Sequence, residues 1–303
     1  MSGDDIWSED EEIDPEEAQE YLRQVQESDG FDVDYFHNSY ARIKPCQLND
    51  EYGYTHDMEL YGRLGLHCYN LQKGTNLKLI DIHKYNTELF FGYYITLEAV
   101  DTYTNSPCTF QTCVREGKTW EHGYFMVQTE ISRLKVPKGP RTTSIGPQRR
   151  WEDEVIDDFY KSEMPNWLTK EELAAANDKG QYYELQESDL LGNEWLHLYA
   201  EFALSLNWRG YAMKNSILRR FLPLKIKKVI VQTRESGEES PHLKLKANNA
   251  IFYMSFKGNS DHPSGKPEPD VEYQAIVRKT MDGKPGHIRL EVQSWAGLES
   301  QPT

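Results

Sequence analysis

The chain has 303 residues, of which 38% are apolar, and it carries a formal net charge of −15. This length permits one or two globular domains, and no apolar run reaches the 18 or so residues that a membrane-spanning helix needs. Four scattered cysteines exclude a disulfide scaffold, and no pair has the Cys-x-x-Cys spacing of a zinc site. We therefore expect a reduced, cytoplasmic or nuclear protein with no membrane contact and no cofactor.

Residues 1–36 contain most of the negative charge, with 14 Asp or Glu and a single basic residue, Arg23. The rest of the chain is nearly neutral. A segment of this composition predicts an acidic, solvated N-terminal tail, and the alternative is a docking arm for a basic partner.

A helix is predicted inside this tail, over Pro15–Ser28. Asp14 can cap its first turn, Pro15 suits the first helical position, and Gly30 can end it. Its apolar stripe would consist of Ala18, Leu22 and Val25.

The first predicted globular unit covers residues 50–136. Its helix would follow Asp57 and bury Tyr61, Leu64, Cys68 and Leu71, while Gly62 and Gly65 within it suggest close approach to a sheet. Four strands in an antiparallel meander follow, around 77–82, 90–100, 110–116 and 123–131.

Residues 137–189 are predicted to be a linker with short helices, because the first part is rich in proline and basic residues. Thr169 and Glu172 have the spacing of a capping box. The second predicted unit covers 190–297, with a helix around 195–206 and strands at Leu224–Thr233, Leu243–Phe256, Glu272–Lys279 and His287–Trp295.

One short pattern occurs twice and links these two units. Leu60–Leu66 recurs as Leu198–Leu204, and Phe110–Glu116 recurs downstream as Tyr273–Lys279. Two copies of one small α+β unit, each with a helix packed on a four-stranded antiparallel sheet, would explain both matches.

The first copy resembles plant cystatins. Gly62–Asn70 is similar to the cystatin helix signature, and Tyr93–Asp101 is similar to the central strand of that family. The resemblance implies a cystatin-like fold for each of the two units.

A larger part of the chain resembles an uncharacterised plant-specific family known through male-sterility and embryo-defective genes. Its recurring segments correspond to Tyr61–Asn70 with Gly74-Thr75-Asn76, to Ala247–Tyr253 and to Thr280–His287. This resemblance implies a possible link to plant reproductive or embryo development and no defined chemistry.

Candidate contact residues lie on two predicted hairpins. Cystatins inhibit papain-like proteases through a Gln-x-Val-x-Gly hairpin and a Pro-Trp hairpin, whereas this chain has Asn86, Thr87 and Glu88 at the first position and Thr119 before Trp120 at the second. We therefore predict no useful protease inhibition. Asn86, Thr87, Glu88 and Trp120 remain candidate partner contacts, because hairpin tips are exposed and carry binding residues.

No catalytic constellation is recognisable in the sequence, so we predict that the protein is not an enzyme. Arg219, Arg220, Lys225, Lys227 and Lys228 form a short basic cluster, which we interpret as an edge-protecting strand face. Docking of the acidic tail or of nucleic acid is the alternative, and nucleic acid is not favoured because the cluster is short. The expected function is a protein-binding adaptor with an unidentified protein partner, and the alternative is a cystatin-type inhibitor with degenerate hairpins.

Overall fold

The structure is a computed structural model, which describes residues 14–36, 41–48, 54–89, 92–119, 123–135, 150–169, 171, 181–206, 221–234, 241–258 and 271–297. Within these ranges, ten strands form one antiparallel sheet in the order β1-β2-β3-β4-β5-β10-β9-β8-β7-β6. The strands are β1 Ile43–Cys46, β2 Leu77–Glu88, β3 Gly92–Asp101, β4 Ser106–Thr119, β5 Tyr124–Leu134, β6 Tyr182–Glu184, β7 Lys225–Gln232, β8 Ala250–Lys257, β9 Glu272–Thr280 and β10 Arg289–Ala296. The helices are α1 Pro15–Ser28, α2 Tyr54–Lys73, α3 Glu187–Gly192, α4 Trp195–Leu206 and α5 Pro241–Lys246.

The prediction of two separate cystatin-like units is wrong. The last strand of each predicted unit pairs with the other, because β5 and β10 are neighbours with Val127 opposite Leu290. Thr129 strengthens this seam: its backbone N–H donates to the carbonyl of Ile288, and its hydroxyl donates to the carbonyl of Gly286 at 2.6 Å. Both halves therefore belong to a single sheet, and the fold gives no support to a cystatin-type inhibitor.

The helices α2 and α4 lie side by side on one face of the sheet. Between them, Tyr61 stacks on Phe202 with ring centroids 6.2 Å apart, and Arg63 pairs with the nearly buried Glu201 at 2.5 Å. Buried side chains of both helices and of the strands beneath them form one continuous hydrophobic cluster. The doubled sequence pattern thus places two helices over one shared core.

Glycines allow α2 to approach the sheet closely, as predicted. A Cβ atom on Gly65 would lie 2.3 Å from the hydroxyl of Thr112, and one on Gly62 would lie 2.9 Å from Leu97. The predicted positions Tyr61, Leu64 and Cys68 are fully buried. Asp57 does not cap the helix, because α2 begins at Tyr54.

The acidic segment 14–36 packs on the opposite face of the sheet, over β3 to β5. Helix α1 has the predicted limits and the predicted cap, with Asp14 accepting a hydrogen bond from Glu16. Its buried anchor is Tyr21, whereas the predicted stripe residue Leu22 is 55% exposed. The helical pattern does not predict the burial of Tyr21, because its ring packs edge-on against Phe36, which lies outside the helix.

Residues 14–36 are thus not a solvated tail. Asp29 pairs with Arg133 at 2.7 Å, and Asp32 pairs with Lys84 and Lys135. Asp29 and Asp32 thus have basic partners on the first half of the sheet, away from the basic cluster at Lys225, whereas Glu20 and Glu27 pair with Arg23 within α1. Residues 1–13 lie outside the described residues.

Residues 150–168 cover the same face over the second half of the sheet. This part of the predicted linker contains two single-turn 3-10 helices, Asp153–Val155 and Asp158–Tyr160, and its aromatic side chains pack on Ile230, Tyr253 and Ile276. The predicted capping box cannot be placed, because Glu172 lies outside the described residues. One predicted strand is too long: residues 243–246 belong to α5, and β8 begins at Ala250.

Candidate functional site

The predicted contact residues Asn86, Thr87 and Glu88 lie at the end of β2 and bind within the molecule. The Asn86 amide is buried and donates to the carbonyl of Gly30 at 2.7 Å. The Thr87 hydroxyl lies 3.3 Å from the Cys46 thiol on β1. These two side chains attach the N-terminal segment and β1 to the sheet.

Glu88 holds two hairpins side by side. Arg115 on β4 pairs with Glu88 at 2.7 Å and with Glu130 on β5 at 2.7 Å, and Tyr94 donates a hydrogen bond to Glu88 at 2.8 Å. The connection between β2 and β3 and the connection between β4 and β5 therefore leave the sheet at the same end, which we call the hairpin end.

The hairpin end is rich in large apolar residues in the sequence. Leu89, Phe90 and Phe91 connect β2 to β3, and Trp120 follows β4. Leu89 is 56% exposed, whereas Phe90, Phe91 and Trp120 lie outside the described residues. Leu89 is thus an exposed apolar side chain at this end of the sheet, and the sequence places three aromatic residues in the same two connections.

The basic cluster lies on β7, beside the short edge strand β6. Lys225 and Lys227 are exposed, and Lys228 pairs with Glu184 on β6 at 2.9 Å. Among the described residues, β6 pairs with residues 230–232, so these lysines lie on the part of β7 that β6 does not cover, in agreement with an edge-protecting role. Arg219 and Arg220 lie outside the described residues.

The most unusual group of the described structure is a buried amine, Lys279 on β9. Its side chain is fully buried, and its Nζ atom has no hydrogen-bond partner. The nitrogen instead lies 5.9 Å from the ring centroid of Trp195 and 5.9 Å from that of Phe252. Burial lowers the pKa of Lys279 to about 7, while Cys68 acts in the opposite direction.

Titratable groups of both helices surround Lys279, and we call the set Lys279, His67, Cys68 and Tyr199 the buried polar cluster. His67 Nε2 lies 3.0 Å from the Tyr199 hydroxyl, and burial, followed by the charge of Lys279, lowers the pKa of His67 to about 3. Burial raises the pKa of the Cys68 thiol to about 12 and that of Tyr199 well above its usual value. His67, Cys68 and Tyr199 are therefore uncharged at neutral pH.

A second polar network lies at the turn between β9 and β10. Asp282 accepts hydrogen bonds from His287 Nδ1 at 2.9 Å and from the backbone of Glu152, and His287 stacks on Trp151 with centroids 5.1 Å apart. Burial would raise the pKa of Asp282, but these hydrogen bonds outweigh it and the pKa is lowered. Asp282 and His287 thus fasten residues 150–153 to the seam of the sheet.

The three recurring segments of the resembled family meet at these two groups. Asn249 accepts a hydrogen bond from the backbone of Met281 at 3.0 Å, which joins the second segment to the third. Gln72, two residues beyond the first segment, bonds to the backbone of Lys284 and Gly286. Gly286 has a φ of +82°, and a Cβ there would lie 2.6 Å from the backbone of Ser132, so only glycine fits.

The sequence contains a signal for the buried polar cluster in the alternation along β9. Tyr273, Ala275, Val277 and Lys279 alternate along β9, so they must share one face of the strand. Since the first three are apolar, the pattern points the lysine into the core. His67 has the same kind of signal, because it lies next to the buried stripe of α2.

Within the described ranges, no three His, Cys, Asp or Glu residues are grouped closely enough to hold a metal ion. No helix in this part of the chain is long and apolar enough to cross a bilayer.

Comparisons with known proteins agree with the family resemblance. A family profile described as Protein MS5 matches residues 164–290. The chain is 60% identical to UPF0725 protein At4g28920 of Arabidopsis thaliana over 99% of this chain and 97% of the relative. It is 40% identical to UPF0725 protein At4g29550 of the same plant, over 93% of this chain and 75% of the relative.

A solved structure shows the same relationship. The crystal structure of MS5 from Brassica napus is similar to this fold with a TM-score of 0.58 and 27% sequence identity, over 80% of this chain and 99% of that chain. Because a 60% identical relative is matched over nearly its whole length, the family assignment does not depend on the fold alone. The chain belongs to the MS5 (UPF0725) family of plant proteins.

Proposed function

We propose that this protein is a non-enzymatic, protein-binding adaptor that contacts its partner through the hairpin end of the sheet. The observation that carries the proposal is the pair of adjacent hairpins held by the Glu88–Arg115–Glu130 ion pairs. Leu89 is exposed on the first tip, and the sequence adds Phe90, Phe91 and Trp120 nearby.

The strands that lead into this end of the sheet are held together by ion pairs, which fix the points where the two connections leave the sheet. Arg115 is only partly exposed, and its two carboxylate partners are nearly buried, with side-chain exposures of 16% and 9%. Ion pairs in such surroundings fix geometry better than pairs in open solvent. A rigid frame lowers the ordering cost of binding, and binding hot spots are enriched in tryptophan, tyrosine and arginine.

The other polar groups support a structural role. His67, Cys68 and His287 are buried by the helices and by residues 150–168, and most of their contacts join layers of the fold. The family resemblance to male-sterility and embryo-defective genes makes floral and seed tissue the first place to search for a partner.

Paired baits test this proposal. Full-length wild-type protein, Leu89→Asp and Tyr103→Asp would be used to capture partners from floral extract, and each captured partner would be purified and its Kd measured. Tyr103 is the matched control, because it is 76% exposed on the turn between β3 and β4, at the opposite end of the sheet.

We expect Leu89→Asp to weaken binding of the partner at least ~10-fold, since hot-spot losses are about 2 kcal/mol or more, while Tyr103→Asp leaves the Kd unchanged. A partner that is lost equally with both variants, or with neither, would show that the hairpin end is not the contact surface. Turnover of a small molecule by the purified protein would refute the non-enzymatic role.

A further inference from the structure

We propose that Lys279 is a carbonyl-binding residue, whose side-chain amine condenses with a small apolar aldehyde or ketone to form an imine inside the core. This inference concerns covalent binding without turnover and is independent of the proposed adaptor surface.

The first argument is the missing partner of the amine. Lys279 Nζ is buried without a hydrogen bond in the described structure, and His67 and Tyr199 of the same cluster bond to each other instead. An isolated buried ammonium is costly, so a buried lysine loses its proton at a lower pH than an exposed one. A neutral amine has the lone pair that attack on a carbonyl carbon requires.

The second argument is the chemistry of the surroundings. Trp195 and Phe252 present ring faces to the nitrogen at 5.9 Å, and the nearby Cys68 thiol remains protonated because burial raises its pKa to about 12. An apolar wall favours an apolar carbonyl compound, and exclusion of water protects an imine from hydrolysis. Within the described residues, no carboxylate is bonded to the amine, so none holds it in the protonated form.

The condensation is balanced without any further reactant. The amine nitrogen attacks the carbonyl carbon and gives a carbinolamine, which then loses water. The new bond between Nζ and the carbonyl carbon becomes a C=N bond, the C=O bond is broken, and both amine protons leave with the carbonyl oxygen as water. Neither an oxidant nor a reductant takes part, and addition of water to the imine reverses the reaction.

Trp195 provides an entry to the amine. Of the side chains around Lys279, His67, Cys68, Tyr199 and Phe252 are buried, whereas Trp195 at the start of α4 is partly exposed. Its indole N–H donates to Asn193 at 3.0 Å in the exposed turn between α3 and α4. Trp195 also stacks on His67 with ring centroids 4.8 Å apart, so the proposal requires that this side chain leave its ring contacts to admit a carbonyl compound.

Reductive labelling of the native, full-length protein tests the proposal. The protein would be treated at neutral pH with butanal and a limiting amount of cyanoborohydride, and peptide mapping by mass spectrometry would compare Lys279 with the exposed Lys73. We expect Lys279 to label at least ~10-fold faster than Lys73, because far more of its amine is unprotonated at this pH. Trp195→Ala should accelerate labelling of Lys279 further and leave Lys73 unchanged.

Two results would overturn the assignment. Lys279 that remains unlabelled in the native protein while Lys73 is labelled would show a purely structural amine. Labelling of Lys279 that is not accelerated by Trp195→Ala, and that requires denaturant, would show exposure only by unfolding. Lys279→Arg should remove the butyl group from this peptide alone, and the comparison within the wild-type protein stands even where that variant does not fold.

Discussion

Lys279 is expected to make the stability of the protein depend on pH above neutrality. Its pKa is about 7 in the folded protein, against about 10.4 for an exposed lysine. Between these values the unfolded chain binds more protons than the folded one, so the free energy of unfolding rises with pH. The neutral form is the one that the core favours.

We therefore expect Lys279→Met to stabilise the protein at neutral pH by roughly 1–4 kcal/mol, because a buried amine is replaced by an apolar chain of similar length. The variant should also lose about one proton of pH dependence above pH ~7. Denaturant unfolding of wild type and variant at several pH values measures both effects. The window up to pH ~8.5 is the cleanest, since the buried Cys68 thiol opposes the trend above its unfolded pKa.

Lys73→Met is the control, because Lys73 is exposed at the end of α2 and should change stability little. Parallel pH profiles for wild type and Lys279→Met would contradict the assignment of a low pKa to Lys279. A variant that is less stable at every pH would instead mean that the amine makes a favourable contact that a thioether cannot replace.

For single residues, the sequence predicted which positions are closely packed better than it predicted their hydrogen-bond and ion-pair partners. Gly62 and Gly65 indicated close packing of α2 because glycine inside a helix needs a reason, and the 2.3 Å approach to Thr112 is that reason. Asn86 and Glu88 could not be recognised as fastenings, because their partners Gly30 and Arg115 lie 56 and 27 positions away. Such contacts depend on how strands are arranged, which local patterns do not encode.

Among the elements, α1 shows how a short acidic helix is held on a sheet. The ring of Tyr21 packs edge-on against Phe36 with centroids 5.4 Å apart, and its hydroxyl accepts a hydrogen bond from the backbone of Ile43 at 2.9 Å. A helix of this length is marginal by itself in water. Its order therefore depends on these few buried contacts and on the ion pairs of Asp29 and Asp32.

We predict that Tyr21→Ala releases α1 and β1 from the sheet, at a cost of about 3–5 kcal/mol to this region. Hydrogen exchange should show faster exchange in residues 15–36 and 43–46, with little change in β8 and β9. Leu22→Ala is the matched control, because Leu22 is next to Tyr21 in sequence but is 55% exposed, so its truncation should have almost no effect. Equal exchange in both variants would mean that the segment is held by its charges rather than by Tyr21.

The limits of α1 could be predicted because Asp14, Pro15 and Gly30 are local signals. The burial of its face could not, since the choice between Tyr21 and Leu22 is made by the surface that the helix meets. Residues 243–246 differ from their prediction in another way. Their alternating apolar pattern predicts a strand, yet they belong to the short helix α5, which precedes β8.

For the whole molecule, the seam between β5 and β10 decides whether the two halves are independent. Leu290 is fully buried opposite Val127, and the helices above the seam share one core. We expect one cooperative unfolding transition for the full chain. Leu290→Ala should lower the free energy of unfolding by about 2–5 kcal/mol, and β3 and β8 should lose exchange protection together.

Leu243→Ala is the control for this prediction, because Leu243 is 52% exposed on α5. A calorimetric trace with two separate transitions, or loss of protection in β8 and β9 while β2 and β3 stay protected, would refute the single cooperative unit. Such a result would mean that the two halves unfold independently although they share one sheet.

The meander of the first half was predictable, since its strands follow one another along the chain with short turns. The joining of the halves was not, because the pairing of β5 with β10 leaves no mark in either strand. Both have buried apolar positions, such as Val127 and Leu290, that would suit a sheet edge covered by a helix equally well. The doubled pattern therefore predicted two separate sheets, whereas the structure has one continuous sheet.

This pairing has a consequence for synthesis on the ribosome. Arg289, which bonds to Gln128 across the seam, lies 161 positions further along the chain. At a translation rate of about 5–20 residues per second, it is synthesised roughly 10–30 s after Gln128. During this time the nascent first half presents the bare edge of β5 and the unmatched flank of α2, both of which are prone to aggregate. Production of the protein should thus depend on chaperones that bind early, and slower translation of its second half should lower the yield of native chain.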